Sequence, residues 1–136
     1  MNTGVLGAVL AGLVLAAGVM LGLRRRLLLV TVEGDSMEPA YTAGDRLVVR
    51  RTTLAGVRRG AVVVLAAHSA DPPLLVKRAV AVPGDPVPEG IPVADRTVPP
   101  GQLVVLGDNT DRSADSRAKG YIPASDVVGV VVRRQS

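Results

Sequence analysis

The sequence contains no cysteine, no phenylalanine, no tryptophan, two tyrosines and one histidine, His68. Without cysteine there are no disulfides and no thiolate chemistry. The sequence therefore does not indicate whether the protein works in an oxidising or a reducing compartment. A single histidine argues against a zinc or iron site. The net charge of +4 would suit a nucleic-acid partner, but with two tyrosines as the only aromatic residues the sequence does not provide the stacking platform that single strands use. We therefore expect no cofactor, no metal and no nucleic-acid partner.

Lysine is also scarce. Of the 16 basic residues, only Lys77 and Lys119 are lysines and the rest are arginines. Arginine stays protonated in proteins, whereas a buried lysine can lose its proton. Each lysine is therefore a candidate for proton-transfer chemistry.

One long apolar run is present at residues 4–23, with 20 uncharged residues. At about 1.5 Å per residue it would span about 30 Å, the thickness of a bilayer core. Only three residues precede the run, none with a charged side chain, and a cleavable signal peptide usually begins with a charged segment. We predict that residues 1–26 form an uncleaved membrane anchor with a basic flank, followed by one domain at residues 27–136.

The rest of the sequence has the pattern of a small β domain. Valine-rich runs alternate with glycine, proline and aspartate, and no clear helical period follows residue 27. The fold class is therefore mainly β: a compact antiparallel β sandwich or partly closed barrel. Residues 83–101 predict an irregular connection with at most one short strand. The predicted strands are residues 27–32, 46–50, 61–66, 74–82, 102–107 and 126–132.

Ser36 lies in a short polar stretch, VEGDSMEPAY, between two apolar runs. Gly34 allows a tight backbone path that would present the Ser36 side chain and direct backbone N–H groups at an oxyanion. A serine nucleophile needs a base to accept its proton. The only histidine lies in a predicted loop, so the stretch is either an ordinary turn or a nucleophile that uses another base.

Lys77 is the candidate base, because it lies in the middle of a predicted apolar strand. Alternation along the strand places it on one face with Leu75, Ala79 and Ala81, and places Arg78 on the other face. Burial among aliphatic side chains lowers the pKa of a lysine towards the value that a general base needs. The alternative is a lysine at a strand edge with its amine in water.

A polar segment, LGDNTDRSADSRAKG at residues 106–120, follows the strand at 102–107. It is too polar for a core, and it is either a solvated loop or a hydrogen-bonded network beside the site. In such a network Ser113 would orient the amine of Lys77. Asp115 and Arg117 would form an ion pair that holds the loop.

These segments together resemble the type I signal peptidases, which are membrane-anchored Ser–Lys proteases. The resemblance covers about residues 28–132, nearly everything after the predicted anchor. The matching motifs are GDSMEP (34–39), GDRLVV (44–49), VKRAVAVPGD (76–85), and GDNTDRSADSR (107–117) with Gly120.

The resemblance implies a role for each matching residue. Ser36 would be the nucleophile, Lys77 the general base, and Ser113 the hydrogen-bond partner of the lysine. Gly34 and Met37 would support the nucleophile. Some members carry a serine hydroxyl two residues before the nucleophile, where this chain has Gly34, so its oxyanion hole would use backbone donors such as the Ser36 N–H.

Two ion pairs are also implied beside the site: Arg78 with Asp108, and Asp115 with Arg117. One residue departs from the family pattern, because Ala61 stands where an acidic residue is usual. The connection at 86–101 is short, so the additional β domain of larger members is absent.

The resemblance implies that the partners are exported preproteins and a lipid bilayer crossed by residues 4–23. The preprotein would bind extended along a strand edge, with small residues at the first and third positions before the cut. The catalytic domain would lie on the outer face of the bacterial cytoplasmic membrane. The positive-inside tendency of Arg24–Arg26 predicts the opposite orientation, unless a further basic stretch precedes Met1.

Two other functions fit parts of the sequence. A self-cleaving Ser–Lys peptidase of the LexA type shares the GDSM-like and lysine-strand features, but it carries a DNA-binding domain in place of an anchor. The other alternative is a non-catalytic, membrane-anchored β module that binds proteins. In such a module Ser36 and Lys77 would not need to contact each other.

Overall fold

The computed structural model describes residues 2–68 and 73–135. Helix α1 (Thr3–Arg26) contains the whole apolar run, and none of its side chains is buried against the rest of the protein. The helix ends in three arginines, and Leu27 is the first residue of a strand. It is long and apolar enough to cross a membrane, by length and composition.

The remainder of the described chain forms one seven-stranded antiparallel sheet that curls into a half-barrel, with a four-residue helix, α2 (Ser116–Lys119). The spatial order is β1-β2-β7-β3-β4-β5-β6. This architecture confirms the mainly β prediction and selects a single curled sheet over a sandwich. The strands are β1 (Leu27–Thr31), β2 (Arg46–Arg51), β3 (Val62–Ala66), β4 (Leu74–Ala81), β5 (Gln102–Leu106), β6 (Ile122–Pro123) and β7 (Val127–Gln135).

Six of the strands lie where the valine-rich runs predicted them. β7 continues to Gln135, three residues beyond its predicted end. β6 was not predicted, because two residues that include a proline give no strand pattern. The connection at 83–101 contains no strand, only a single bridge between Pro86 and Thr97.

The curl of the sheet allows β3 to be buried on both faces. Val63 and Leu65 pack in one cluster with Ala79 of β4, whereas Val64 packs in another with Val30 of β1. Strands that are buried on both faces are apolar throughout rather than alternating. This arrangement explains why residues 62–65 form an unbroken apolar run.

The register of β4 separates its two basic residues. Lys77 pairs with Val63 and shares a face with Leu75 and Ala79, both of which belong to the first cluster. Arg78 points to the opposite face. A register irregularity between Ala79 and Ala81 then places Ala81 in a third cluster with Ile91 and Val98. The core of the domain therefore surrounds the Lys77 face of the strand.

Candidate active site

Ser36 lies in the turn that connects β1 to β2. Gly34 has a φ of +75°, a backbone conformation that side chains other than glycine rarely adopt. Met37 is 1% exposed and anchors the turn in the interior, whereas Ser36 is half-buried. Gly34 and the buried Met37 thus fix the turn, and Ser36 between them remains partly accessible.

Lys77 is 4% exposed, and its Nζ donates a hydrogen bond of 3.1 Å to Ser113 Oγ. Burial lowers the pKa of Lys77, and the nearby positive charges of Lys119 and Arg117 lower it further. The carboxylate of Asp115 acts in the opposite direction without reversing the shift. The amine is therefore shifted towards the neutral form that can accept a proton.

The segment after β5 lies against both Ser36 and Lys77. A Cβ added at Gly107 would lie 2.5 Å from the Cβ of Ser113 and 2.7 Å from the carbonyl oxygen of Ser36. Since Ser113 also accepts from Lys77, the Ser36 turn and the lysine meet at the same few residues. Among the hydrogen bonds of the described residues, the partner of Lys77 Nζ is Ser113 rather than Ser36 Oγ.

Asp115 forms the buried end of the polar segment. Its carboxylate accepts from Arg117 Nε at 3.0 Å and Nη2 at 2.7 Å, and from the backbone N–H of Gly107 at 2.8 Å. Burial alone would raise the pKa of Asp115, but the hydrogen bonds from Arg117, Gly107 and Ser113 outweigh it and hold the pKa well below its usual range. Asp115 is thus ionised and ties Gly107 to α2.

A second ion pair lies on the opposite face of β4. Arg78 Nε and Nη2 donate to the two carboxylate oxygens of Asp108, at 2.9 and 2.8 Å. Its Nη1 donates to the carbonyl of Gly60. The hydrogen bond to Asp108 is the largest reason why the pKa of Arg78 is raised. This bidentate geometry fixes the start of the polar segment relative to the strand that carries Lys77.

His68 is not part of this arrangement. His68 Nε2 lies 3.2 Å from Oδ1 of Asp126, the residue before β7. The side chain of His68 is 80% exposed. Most of the loop that follows it, residues 69–72, lies outside the described residues.

A mainly apolar cleft of about 290 Å³ opens beside Ser36. Its walls are the last residues of β1 with the start of the turn, and the first residues of β4. Within the described sheet β1 pairs only with β2, so its other edge retains free backbone N–H and C=O groups. The lining residues are Leu29, Val30, Thr31, Val32, Glu33, Ser36, Met37, Pro73, Leu74, Leu75 and Val76.

Two further residues contact the Ser36 turn and were not singled out from the sequence. Asn109 donates to the backbone of the turn, and Arg112 Nη1 lies 3.6 Å from Asp35 Oδ2. Both belong to the polar segment that the sequence identified as a network. The pattern shows the polarity of that segment but not which side chain reaches across to the turn.

The family model described as "Signal peptidase, peptidase S26" matches residues 6–90 and 88–134. The chain belongs to the signal peptidase family. Signal peptidase IB of Staphylococcus aureus (strain COL) is 30% identical over 142 residues, which cover 74% of this chain and 73% of that protein. Probable signal peptidase I-1 of Synechocystis sp. is 28% identical over 133 residues, which cover 72% of this chain and 65% of that protein.

Membership of the signal peptidase family confirms the resemblance to type I signal peptidases. The protein is a serine-type endopeptidase, a hydrolase of peptide bonds, as the sequence predicted. The family match favours this function over a self-cleaving LexA-type repressor and over a non-catalytic module.

Proposed function

We propose that this protein removes N-terminal signal peptides from exported preproteins, with Ser36 as the nucleophile and Lys77 as the general base. The observation that carries the proposal is the environment of Lys77. The amine is buried, its pKa is lowered, and it is held by Ser113 in the segment that also contacts the Ser36 turn.

The reaction follows from these groups. Neutral Lys77 accepts the proton of the Ser36 hydroxyl as Oγ attacks the carbonyl carbon of the scissile bond. The Ser36 N–H donates to the resulting oxyanion. Protonated Lys77 then gives its proton to the departing amine, which leaves an acyl-enzyme. Lys77 then takes a proton from a water molecule as it attacks the ester carbonyl, and returns that proton to Ser36 Oγ as the ester bond breaks. This step releases the signal peptide with a free carboxyl group and restores the Ser36 hydroxyl.

The substrate-binding surface in this proposal is the cleft beside Ser36. An extended preprotein segment adds to the free edge of β1, and backbone hydrogen bonds hold it in register. Its side chains would enter the apolar cleft, whose lining includes Val32, Met37 and Val76. The family resemblance implies small residues at the first and third positions before the cut.

Residues 1–26 are proposed to form the membrane anchor, and residues 27–136 the catalytic domain on the outer face of the cytoplasmic membrane. The absence of a linker between α1 and β1 supports this proposal, because the cleft beside β1 then lies close to the bilayer surface. A signal peptide embedded in the same bilayer would have its cleavage site at that level. Arg24–Arg26 opposes this orientation by the positive-inside tendency.

The orientation can be measured directly, since the natural sequence has no cysteine. Single cysteines at Asn2 and at the exposed Arg59 would be treated with a membrane-impermeant maleimide in intact cells. We expect labelling of Arg59→Cys and protection of Asn2→Cys until the cells are permeabilised. The reverse pattern would place the domain in the cytoplasm.

The catalytic proposal is tested with detergent-solubilised protein and a model preprotein. Lys77→Ala and Lys77→Arg should both abolish cleavage, because alanine cannot accept a proton and arginine does not release one. Lys119→Ala is the matched control, since it removes the other lysine from an exposed position; it should still cleave the preprotein, with a pH dependence moved to higher pH. Full cleavage by a folded Lys77→Ala variant would refute the dyad.

A further inference from the structure

Asn109 makes two hydrogen bonds to consecutive residues of the nucleophile turn. Its side-chain Nδ2 donates to the carbonyl oxygen of Asp35 at 3.0 Å. Its backbone N–H donates to the carbonyl oxygen of Ser36 at 2.8 Å. Asn109 lies 74 residues after Asp35, so these contacts depend on the tertiary fold.

The first of these bonds helps to set the direction of the Ser36 N–H. The Asp35 carbonyl also accepts a longer bond, of 3.2 Å, from the backbone N–H of Glu38 within the turn, and Asn109 is the donor from outside the turn. The carbonyl of Asp35 and the N–H of Ser36 belong to one planar trans peptide, in which they point in opposite directions. A donor that fixes the carbonyl therefore fixes the N–H as well. The N–H is directed away from Asn109, towards the other side of the turn.

The same bond strengthens that N–H as a donor. A peptide group that accepts at its carbonyl is polarised, and hydrogen bonds in a chain reinforce one another. A side-chain hydroxyl at position 34 could also donate to the oxyanion, but this chain has Gly34 there, which has no side-chain donor. Asn109 thus acts on the Ser36 N–H, which is the group that would stabilise the oxyanion.

The surrounding contacts keep Asn109 at this distance. Gly107 lies so close to the Ser36 carbonyl that there is no room for a Cβ. Asp108, the residue before Asn109, is fixed by its bidentate ion pair with Arg78. Asn109 is therefore held from two sides, by the fixed Asp108 before it and by its own backbone bond to Ser36.

We propose that Asn109 is a positioning residue of the oxyanion hole, which orients and polarises the Asp35–Ser36 peptide through its side-chain amide. The proposal rests on the proposed Ser36/Lys77 function. Asn109 does not touch the reacting atoms, and its effect passes through the Ser36 N–H.

The test compares Asn109→Ala and Asn109→Asp with wild type in cleavage of a model preprotein. Both variants retain the backbone donor to Ser36, and Asn109→Asp also retains the side-chain size while losing the amide donor. Removing an oxyanion donor outright costs about 10²–10³ in kcat, so we expect a loss of about tenfold or more in kcat for weakened orientation. KM should change little, because the substrate ground state does not use this donor.

A matched control is Arg112→Ala. Arg112 belongs to the same segment and contacts the same residue, Asp35, but through an exposed side-chain ion pair. Exposed ion pairs contribute little, so kcat should stay close to wild type. An equal loss in Arg112→Ala would show that general anchoring of the segment matters, not the peptide contact, and would overturn the proposal.

Two readouts separate positioning from structural damage. A peptide aldehyde, which forms an oxyanion on Ser36, should bind about tenfold more weakly to the Asn109 variants, whereas the matching peptide alcohol should bind as before. The midpoint of the pH–rate profile of Asn109→Ala should not move, because this change adds no charge and leaves Lys77 and Ser113 untouched. Equal weakening of both ligands, a shifted midpoint in Asn109→Ala or wild-type kcat would each contradict the role.

The outcome also separates this inference from the proposed function. Ser36→Ala and Lys77→Ala are measured in the same assay. If those variants are inactive while Asn109→Asp has wild-type kcat, the dyad stands and the role of Asn109 is wrong. If Ser36→Ala retains activity, the function itself fails.

Discussion

Lys77 Nζ donates a hydrogen bond of 3.1 Å to Ser113 Oγ, across a separation of 36 residues in the sequence. Ser113 and Gly107 both belong to the polar segment at residues 106–120, and Gly107 lies against the carbonyl of Ser36. The polar segment therefore contacts both the proposed base, through Ser113, and the proposed nucleophile turn, through Gly107. The relative position of Ser36 and Lys77 depends on this segment, and four predictions follow from its contacts and charges.

The first prediction concerns pH. Because burial lowers the pKa of Lys77 below the usual 10.5, the rise of kcat/KM with pH should have its midpoint below that of a free lysine. Lys119→Ala removes a positive charge that favours the neutral amine, so the midpoint should move to higher pH. Profiles measured for both proteins check this. A midpoint at the usual lysine value would contradict the buried base.

The second prediction concerns Ser113. Ser113→Ala removes the acceptor that orients Lys77 Nζ, while the lysine remains buried. General-base catalysis contributes about 10²–10⁴ in rate, and we expect the variant to lose about a hundredfold in kcat through misplacement of the amine. Ser113→Thr keeps the hydroxyl and should recover part of the activity. An Ala variant with unchanged kcat would mean that the hydrogen bond does not position the base.

The third prediction concerns Gly107. Gly107→Ala would place a Cβ 2.7 Å from the Ser36 carbonyl oxygen and against the side chain of Ser113. Overpacking of this kind costs about 1–3 kcal/mol, and here the strain falls on the site. We expect a lower midpoint of thermal unfolding and a loss of kcat larger than the loss of stability explains.

The control for this variant is Gly129→Ala in β7. A Cβ there would collide with the backbone of Arg50, on the neighbouring strand β2. It should lower stability to a similar degree but leave kcat of the folded fraction close to wild type. Comparable loss of kcat in both variants would show that neither effect is specific to the site.

The fourth prediction concerns Asp115. Its carboxylate is buried and accepts from Arg117, whose side chain is 33% exposed, and hydrogen bonds to a charged group contribute about 1.5–3 kcal/mol each. Asp115→Asn should therefore lower the free energy of unfolding at neutral pH, as measured by urea denaturation.

The pH dependence of that difference has a definite sign. The folded pKa of Asp115 is depressed, so its contribution is present above the usual value of 3.8 and is lost as pH falls through the folded pKa. The gap in stability between wild type and Asp115→Asn should narrow on acidification below that value. A gap independent of pH would rule out the ionised carboxylate as its source.

Several features could be predicted because they depend on neighbours in the sequence. Valine-rich runs between turn-forming residues located six strands, and alternation along β4 separated Lys77 from Arg78. The polar composition of residues 106–120 indicated a network. The contacts of this network could not be predicted. The bond from Asn109 to Asp35, for example, joins residues 74 positions apart, and no sequence pattern indicates that they are neighbours in the fold. β6 was missed since its pairing with β5, not its composition, makes it a strand.

The sequence by itself determined which groups are available: one serine in a glycine turn, one lysine within an apolar strand, and no histidine or cysteine suited to the same task. Only the tertiary structure decided how they are brought together. The curl of the sheet buries the Lys77 face, and the segment after β5 reaches both that amine and the Ser36 turn. The physical reason is that burial and hydrogen bonding between distant residues set the pKa and orientation of a group, and both arise only when the chain has folded.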